Sequence, residues 1–447
     1  MDESRIRLYA LRDPALPALP TLLGREAREV LQAALEEAMA QGAVPAGTVL
    51  HGWHPQQVLW HPERALTVVY DVRLRDGAGQ SLHDLVVAST GAGMPSGALR
   101  LEQAGQQVAL WTAANDPRLP GLAVALHPQR LRALLAALGL RAARILPRLR
   151  SYRPGSRAVV EVQADDQRLY IKVVSPQQVA ALQRRHALLS RHLPTPRSHG
   201  WSAEHGLVTL EAMPGFTLRQ ALSDPAAALP APAVIADLLQ QLPDTEDQRP
   251  APDPAAMLRT ASTLLEHVLP ELAPRLERLV QGLLAPGTTG PRQPVHGDLH
   301  DGQITVVEGR ITGLLDVDTV GLGHRVDDWG NLAGHLATRM EGTGGIARAR
   351  IQEYGRQVAA LADGLVDPAT FRRRAAGVAL ALATGPFRVL TSDWPAETRR
   401  RVALAERWLE SARNVAAPRM ERRTSATGRS TSPAAATATA VALEGGG

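Results

Sequence analysis

The sequence lacks cysteine entirely, and aromatic residues are scarce. Without cysteine the chain can form no disulfide and can use no thiolate as a nucleophile or metal ligand. Phe, Trp and Tyr make up 3% of the residues, which leaves few rings for stacking on nucleic-acid bases. No apolar run approaches the roughly 20 residues that cross a bilayer. We therefore expect a globular protein that binds neither nucleic acid nor a membrane.

The charge balance does not change this expectation. The net charge is +5 and the pI is about 10.1, but the arginines are scattered along amphipathic segments with acids between them. The first residues, MDESRIRLYALRDPALP, are charged and interrupted by proline, which is not typical of a signal peptide. A cytoplasmic location is the expectation.

Lysine is nearly absent, because 48 of the 49 basic residues are arginine and the remaining one is Lys172. It lies in the segment LYIKVV, which has the composition of a buried strand. A compact ammonium group fits beside two phosphates where a planar guanidinium does not. Lys172 is therefore a candidate phosphate ligand, and the alternative is a surface lysine without a function.

The stretch from residue 295 to residue 332 carries the densest set of candidate functional residues. It begins with His296-Gly297-Asp298, and Gln303 follows five residues after Asp298. The segments ITVV and ITGLL then predict a hairpin with a tight turn at residues 308–310. Asp316 follows the second strand, with Asp318 two residues on. Carboxylate and amide oxygens suit Mg²⁺, so this stretch predicts a cradle for Mg²⁺ and a phosphate.

This stretch resembles the catalytic segment of the aminoglycoside phosphotransferase family, the small-molecule relatives of protein kinases. The resemblance implies that Asp298 is the catalytic base and that Asp316 binds the metal. It also places Gln303 where the family has a metal-binding asparagine, so that an amide oxygen is retained. Lys172 matches the lysine on the third strand of the kinase fold, which binds the α- and β-phosphates of ATP.

Two further segments match the part of a kinase that holds the nucleotide. The sequence YRPGSR, residues 152–157, lies where a phosphate-covering loop belongs, and Gly155 with Ser156 would approach phosphate through backbone N–H groups. An ordinary hairpin turn is the alternative. Glu211 and Met213 lie where the family has its hinge, beside adenine. The resemblance thus implies ATP and Mg²⁺ as cofactors.

The sequence departs from the kinase pattern on the helix expected at residues 177–192. Kinases pair the lysine with a glutamate there, yet no acid occurs between Asp166 and Glu204. Gln178, Gln183 or His186 could orient the ammonium group by hydrogen bonds, or Asp316 or a residue of the N-terminal domain could balance its charge. The missing glutamate leaves open a catalytically degenerate, nucleotide-binding module as an alternative function.

A metal-dependent hydrolase is the second alternative, because His296, Asp298, His300 and Asp301 form a compact set of possible ligands. That hypothesis gives Lys172 no role. Asp328 matches an aspartate that opens the next helix in the family, and we expect it to cap that helix and brace the catalytic loop.

The resulting fold class is α+β, with a two-lobed protein-kinase-like fold, an additional N-terminal α+β domain and a disordered C-terminal tail. The predicted boundaries are 1–145 for the N-terminal, cap-like domain, 146–213 for the kinase-like N-lobe, 214–415 for the mainly helical C-lobe and 416–447 for the tail. The predicted function is ATP-dependent transfer of the γ-phosphoryl group to a hydroxyl of a small molecule.

The acceptor is left open among sugars, aminoglycosides and amino alcohols, because a fold does not select its substrate. The N-terminal extension resembles the cap domain of maltose-phosphorylating relatives, which favours a sugar. The sequence has no obvious acidic run for a polycationic aminoglycoside. The sequence does not predict an oligomeric state.

Overall fold

The computed structural model describes residues 3–244 and 253–416 of the chain. Among these residues, none of the helices combines the length and the apolar character needed to span a lipid bilayer. The architecture is mixed α and β, with two five-stranded antiparallel sheets followed by a mainly helical region. The predicted α+β, two-lobed kinase-like class with an additional N-terminal α+β region is confirmed.

The N-terminal region consists of three helices and a sheet. The helices are α1 (Glu3–Ala10), α2 (Leu19–Leu23) and α3 (Ala27–Ala40). The strands are β1 (Val49–His61), β2 (Ala65–Arg75), β3 (Ser81–Gly91), β4 (Leu99–Gln103) and β5 (Gln106–Thr112), in the sheet order β1-β2-β3-β5-β4. A 3₁₀ turn at Ala113–Asn115 ends this region.

The core of the N-terminal sheet is shared with helices from the other end of the chain. Leu66, Val68 and Tyr70 on β2 belong to the same buried cluster as leucines of the C-terminal helices. The indole of Trp60 on β1 lies 6.3 Å from the ring of Phe387, centroid to centroid. Residues 1–145 were expected to form a separate unit, but this sheet packs on the C-terminal helices through a continuous apolar core.

The second sheet carries Lys172. Its elements are α4 (Leu122–Ala125), α5 (Pro128–Ala137), β6 (Ile145–Arg153), β7 (Arg157–Ala164), β8 (Gln167–Val174), α6 (Pro176–Leu189), β9 (Ser198–Ser202) and β10 (Leu207–Glu211). The strand order is β6-β7-β8-β10-β9, so β8 is central. Lys172 lies between Val159 on β7 and Val208 on β10. Because side chains alternate along a strand, Lys172 shares the α6 face of the sheet with Val174 and Val208.

The opposite face of this sheet is covered by α4 and α5, which precede it in the chain. Leu122, Leu131 and Leu135 pack against Val160 and Ile171 in one buried cluster. The predicted boundary at residue 145 coincides with the first residue of β6, yet the helices before that residue complete the core of the second sheet.

The remaining elements form the helical lobe and two small sheets. The strands are β11 (Phe216–Thr217), β12 (Arg292–Val295), β13 (Ile304–Val307), β14 (Arg310–Leu314) and β15 (Gly321–His324), paired as β11-β13-β14 and β12-β15. The helices are α7 (Leu218–Ser223), α8 (Pro232–Gln240), α9 (Pro254–Val268), α10 (Ala273–Leu283), α11 (Arg325–Glu341), α12 (Gly345–Leu365), α13 (Pro368–Leu382), α14 (Gly385–Arg388) and α15 (Trp394–Ala416), with a 3₁₀ turn at Pro270–Leu272.

Helix α11 is held close to α13, which fixes its position beside the catalytic loop. A Cβ atom added at Gly330 would lie 2.3 Å from Cβ of Arg374, and one added at Gly334 would lie 2.7 Å from Cβ of Val378. These glycines therefore permit a close approach of the two helices, and α11 carries Asp328 and Asn331, which contact the loop at residues 296–303.

Several local expectations differ from the structure. The segment after α12 is divided into α13 and α14, because Pro386 cannot donate an N–H to a continuing helix. Strands β4 and β9 were not expected from the sequence. The disordered tail was predicted for residues 416–447, of which Ala416 ends α15 and 417–447 lie outside the described residues.

Candidate active site

The catalytic loop is held between β12 and β13. Residues 296–303 leave β12 at its end, and the loop returns to the hairpin of β13 and β14, whose turn has Glu308 and Gly309 at φ 50° and 75°. Positive φ at both central residues is the requirement of a type I′ hairpin turn. After β14, Asp316 adopts φ 50° and ψ 49°, a left-handed conformation that non-glycine residues rarely adopt. This conformation leads directly into the 3₁₀ turn Val317–Thr319.

Asp328 braces the start of the loop. Its side chain is fully buried and accepts hydrogen bonds from the backbone N–H groups of His296, at 3.0 Å, and Gly297, at 2.9 Å. Arg325 donates to the same carboxylate at 3.2 Å. Asp328 therefore braces the loop as predicted, but the prediction that Asp328 is the N-cap of α11 is wrong. Helix α11 is preceded by His324 as its N-cap, and Asp328 lies within its first turn.

His296 connects the catalytic loop to the Asp316 segment. Its imidazole is fully buried, with Nε2 2.9 Å from the carbonyl oxygen of Leu315. Nδ1 accepts a hydrogen bond from the backbone N–H of Asp298 at 3.3 Å. Since a carbonyl can only accept, the ring carries its proton on Nε2. Both ring nitrogens are therefore used to hold the loop.

Asp298 is half-buried, and its carboxylate is oriented by a residue that the sequence did not suggest. Asn331 on α11 donates a hydrogen bond from Nδ2 to Oδ1 of Asp298 at 3.1 Å. This contact depends on the packing of α11 against the loop, so no local motif could have indicated it. It fixes one oxygen of Asp298 and leaves the second as a possible hydrogen-bond acceptor.

Lys172 lies between two carboxylates. Its side chain is 8% exposed, and Nζ is 2.6 Å from Oδ1 of Asp316 and 2.6 Å from Oδ1 of Asp318. Burial is the largest influence and lowers the pKa of Lys172, but the carboxylates of Asp318 and Asp316 outweigh it and leave the pKa above its ordinary value. The ammonium form is therefore stabilised at this buried position.

Asp316 is the point where three basic or polar side chains meet. Besides Lys172, Nη1 of Arg157 lies 3.7 Å from its Oδ2, and Nε2 of Gln303 lies 3.4 Å from the same oxygen. Burial acts to raise the pKa of Asp316, but the charges of Lys172 and Arg157 bring it down to about 2. Arg157 was part of the sequence motif but was not proposed as a site residue. Its position at the end of the YRPGSR motif was the sequence signal that could have identified it.

The donor set around Asp316 fits a hard divalent cation. Asp316 supplies carboxylate oxygens, and rotation of the Gln303 amide can turn its oxygen toward Asp316, since the two amide atoms are assigned from the hydrogen-bond network. Oxygen donors of this kind are those that Mg²⁺ binds in phosphoryl-transfer sites. The Gln303 nitrogen now also lies 3.1 Å from Nε2 of His300.

The loop expected to cover phosphate is a tight turn between β6 and β7. Gly155 has φ 65°, in agreement with the expected turn. The N–H of Gly155 donates to Oδ2 of Asp116 at 2.7 Å, and the N–H of Ser156 donates to the carbonyl of Arg153 at 3.0 Å. Both backbone groups proposed as phosphate ligands thus have protein partners in this conformation. A nucleotide would have to replace those partners to use them.

Asp116 is the anchor of this turn, and it comes from the loop after the N-terminal sheet. Its side chain is 2% exposed. It accepts hydrogen bonds from the hydroxyl of Tyr152 at 2.7 Å and from the backbone of Arg118 at 2.9 Å, in addition to Gly155. The hydroxyl of Tyr152 also accepts from the indole N–H of Trp111 at 3.0 Å. The proline- and glycine-rich segment 116–121 therefore positions the loop.

Substituting Asp116 with alanine is expected to raise the KM for ATP about tenfold, because the turn loses an acceptor for two partly buried donors. Steady-state kinetics at varied ATP would measure the change. Asp76→Ala is the matched control, since Asp76 accepts from two backbone N–H groups in the turn between β2 and β3. An unchanged KM in Asp116→Ala would show that this turn does not contact the nucleotide.

The segment expected to form the hinge leaves the end of β10. Glu211 ends the strand, and its Oε1 accepts a hydrogen bond from the backbone N–H of Arg197 at 3.0 Å. Met213 packs over Gly313 of β14, where an added Cβ would lie 2.9 Å from the methionine Cγ. The side chain of Met213 is therefore directed toward the hairpin that precedes Asp316.

The cluster considered for a metal-dependent hydrolase has a different arrangement. Asp301 is fully buried and is bound by Arg219 at 3.0 Å and by Arg339 at 2.9 Å. His300 stacks on His335, with ring centroids 4.4 Å apart. In residues 3–244 and 253–416, no group of three or more His, Asp or Glu side chains is arranged to hold a metal ion. Asp301 is thus a structural anion between two arginines.

Replacing Asp301 with asparagine is expected to lower the free energy of unfolding by about 1–3 kcal/mol, because Arg219 and Arg339 lose a buried counter-charge while the 47% exposed Arg219 can still be hydrated. Chemical denaturation would measure it. The comparison variant is Asp393→Asn, which removes an exposed pair with Arg400 and should change stability by about 0–1 kcal/mol. Equal effects of the two substitutions would contradict the role assigned to Asp301.

The site and the two-sheet architecture define the class of kinase-like phosphotransferases. A lysine on a central strand, an aspartate on a braced loop and a second aspartate after a hairpin are its distinguishing parts. Residues 148–365 match the model of the phosphotransferase enzyme family. No curated protein is similar enough to the chain to count as a match.

Several solved structures are similar to the chain. A choline/ethanolamine kinase family protein from Mesorhizobium loti has 16% identity and a TM-score of 0.43, covering 66% of this chain and 99% of its own. An aminoglycoside phosphotransferase complex with AMP-PNP and hygromycin B has 12% identity and a TM-score of 0.43, covering 64% and 99%. An aminoglycoside phosphotransferase from Streptomyces rimosus has 23% identity and a TM-score of 0.39, covering 56% and 96%.

Proposed function

We propose that this protein transfers the γ-phosphoryl group of ATP to a hydroxyl group of a small molecule. The observation that carries the proposal is the position of Lys172, 2.6 Å from Asp316, beside the loop that holds Asp298. The His296 side chain joins the loop that holds Asp298 to the segment that holds Asp316. It is hydrogen-bonded both to the Asp298 backbone and to the carbonyl that precedes Asp316. These contacts support the proposal that Lys172, Asp316 and Asp298 act in one site, as phosphate ligand, metal ligand and base.

Each residue has a distinct role in the proposed reaction. Lys172 would bind the α- and β-phosphates, and Asp316 with Gln303 would hold Mg²⁺. When bound, Mg²⁺ supplies positive charge that offsets the charge of the phosphates. Asp298 would orient the acceptor hydroxyl through its second oxygen and take the hydroxyl proton as the bond to phosphorus forms. Asn331 would keep Asp298 in that orientation.

The nucleotide would enter between the second sheet and the helical lobe. Glu211 and Met213 lie at the connection and would flank adenine through backbone groups. Gly155 and Ser156 belong to the turn that would cover the phosphates, after exchange of their present hydrogen bonds. Arg157 adds a guanidinium group to this set, since it already lies 3.7 Å from Asp316. A cytoplasmic location would supply the ATP.

The two alternatives predict different outcomes. A catalytically degenerate module would bind Mg²⁺-ATP without turnover on any acceptor. A metal-dependent hydrolase would act without ATP, and the two arginines on Asp301 argue against that ligand set. The acceptor we propose is a neutral hydroxyl compound, with a sugar first.

The experiment is a coupled assay of ADP formation with a panel of sugars, aminoglycosides, choline and amino alcohols. We expect ADP release that depends on one acceptor class and is lost in Asp298→Asn. Binding of Mg²⁺-ATP with no acceptor-dependent turnover would favour the degenerate module instead.

A further inference from the structure

The acid that kinases place on the helix after the lysine strand is missing here, and the structure offers a replacement. Helix α6 occupies the corresponding place and contains no aspartate or glutamate. Both carboxylates that contact Lys172 come instead from the segment after β14. Asp316 is one of them, and Asp318, two residues later in the 3₁₀ turn, is the other.

The two acids are not equivalent in their surroundings. The second oxygen of Asp316 faces Gln303 and Arg157, on the side proposed for the metal. The carboxylate of Asp318 is 17% exposed and lies 2.6 Å from the ammonium group of Lys172. Asp318 therefore provides a second, direct ion pair to the ammonium group.

Helix α6 contributes a basic side chain to this arrangement, whereas the corresponding helix of a kinase contributes an acid. Arg185 on α6 is 7% exposed and donates a hydrogen bond to the backbone carbonyl of Asp318. The helix therefore holds the backbone of the acid instead of supplying the acid itself.

We infer that Asp318 replaces the missing helix glutamate and positions Lys172 for the phosphates of ATP. This inference rests on the proposed function, since it concerns the same site. It assigns separate tasks to the two acids, with Asp318 retained by the lysine and Asp316 available to the metal. Asp318 is a positioning residue, because it acts on the substrate through Lys172.

A double-mutant cycle on nucleotide binding tests the inference. The affinity for Mg²⁺ and a non-hydrolysable ATP analogue is measured by calorimetry in the unmodified protein, Asp318→Asn, Lys172→Met and the double variant. We expect Asp318→Asn alone to weaken binding about 10- to 100-fold. In the Lys172→Met background, Asp318→Asn should weaken binding little further, because the ammonium group that Asp318 positions is absent. Equal effects in both backgrounds would overturn the inference.

A second measurement keeps the test decisive if Lys172→Met does not fold, which thermal denaturation would reveal. The Mg²⁺ concentration for half-maximal activity is determined at saturating ATP for Asp318→Asn and for Asp316→Asn. We expect a large increase for Asp316→Asn and little change for Asp318→Asn, whose KM for ATP should rise instead. A comparable shift in Mg²⁺ dependence for both would identify Asp318 as a metal ligand and contradict the inference.

These results separate the inference from the proposed function. If the unmodified protein binds and turns over Mg²⁺-ATP while the cycle shows independent effects, the assignment of Asp318 fails and the phosphotransferase proposal stands. If the unmodified protein does not bind Mg²⁺-ATP, the proposed function fails first.

Discussion

Replacing Asp298 with asparagine is expected to lower kcat by about 10²- to 10⁴-fold, the usual contribution of a general base. The fold should be retained, because the asparagine side chain has the same shape and can still accept the hydrogen bond from Asn331. ATP affinity should change little, since the substitution leaves Lys172 and Asp316 in place. Steady-state kinetics and analogue binding would separate the two quantities.

Asp237→Asn serves as the control for this substitution. Asp237 is an exposed residue of α8 in the same lobe, so the change removes one carboxylate without altering the site. We expect its kcat and ATP affinity to match the unmodified protein. If Asp298→Asn lost ATP affinity and kcat to the same degree, the role of base would have to be abandoned.

Replacing Lys172 with arginine is expected to lower kcat/KM about 10- to 100-fold although the charge is retained. The ammonium group lies between two carboxylates, each at 2.6 Å, in a position that is almost closed to solvent. A guanidinium group is larger and planar, and overpacking a buried site costs about 1–3 kcal/mol. The loss should be seen in kcat/KM for ATP at saturating acceptor.

The matched exchange is Arg168→Lys on the same strand, where the side chain is exposed. That exchange should leave the kinetics unchanged, because it alters neither a buried contact nor the site. Full activity of Lys172→Arg would remove the significance of the chain's single lysine, and the position would then require only a positive charge.

Local sequence patterns predicted the parts of the site that depend on local structure. Lys172 was placed on a buried strand because apolar residues surround it, and it lies on the central strand of the second sheet. The hairpin before Asp316 was predicted from two apolar segments around Glu308-Gly309, and the structure has that hairpin. The braced catalytic loop followed from the resemblance, which identified Asp328 as its support.

Contacts between distant parts of the chain were not predictable in this way. Asn331 reaches Asp298 from a helix, and Asp116 reaches Gly155 from a different sheet region. No local pattern encodes either pairing, because each results from the packing of whole elements. Asp318 was visible in the sequence, but its contact with Lys172 depends on the left-handed conformation of Asp316 before it.

Domain boundaries are difficult to predict from this sequence, because segments that are distant along the chain share hydrophobic cores. Apolar alternation identifies strands but does not indicate which helices will cover them. The N-terminal sheet is covered by helices from the C-terminal part of the chain, and the second sheet is covered by α4 and α5, which precede it. The role of the N-terminal region in positioning the Gly155 turn follows from this arrangement.

The most direct test of the account is transfer of radiolabelled γ-phosphate from ATP to a small-molecule acceptor. We predict that label appears in an organic phosphate only with the matching hydroxyl compound and Mg²⁺, and that Asp298→Asn abolishes it. Label released solely as inorganic phosphate, at a rate that neither the acceptor nor Asp298→Asn alters, would contradict the proposal that these groups form a phosphotransferase site.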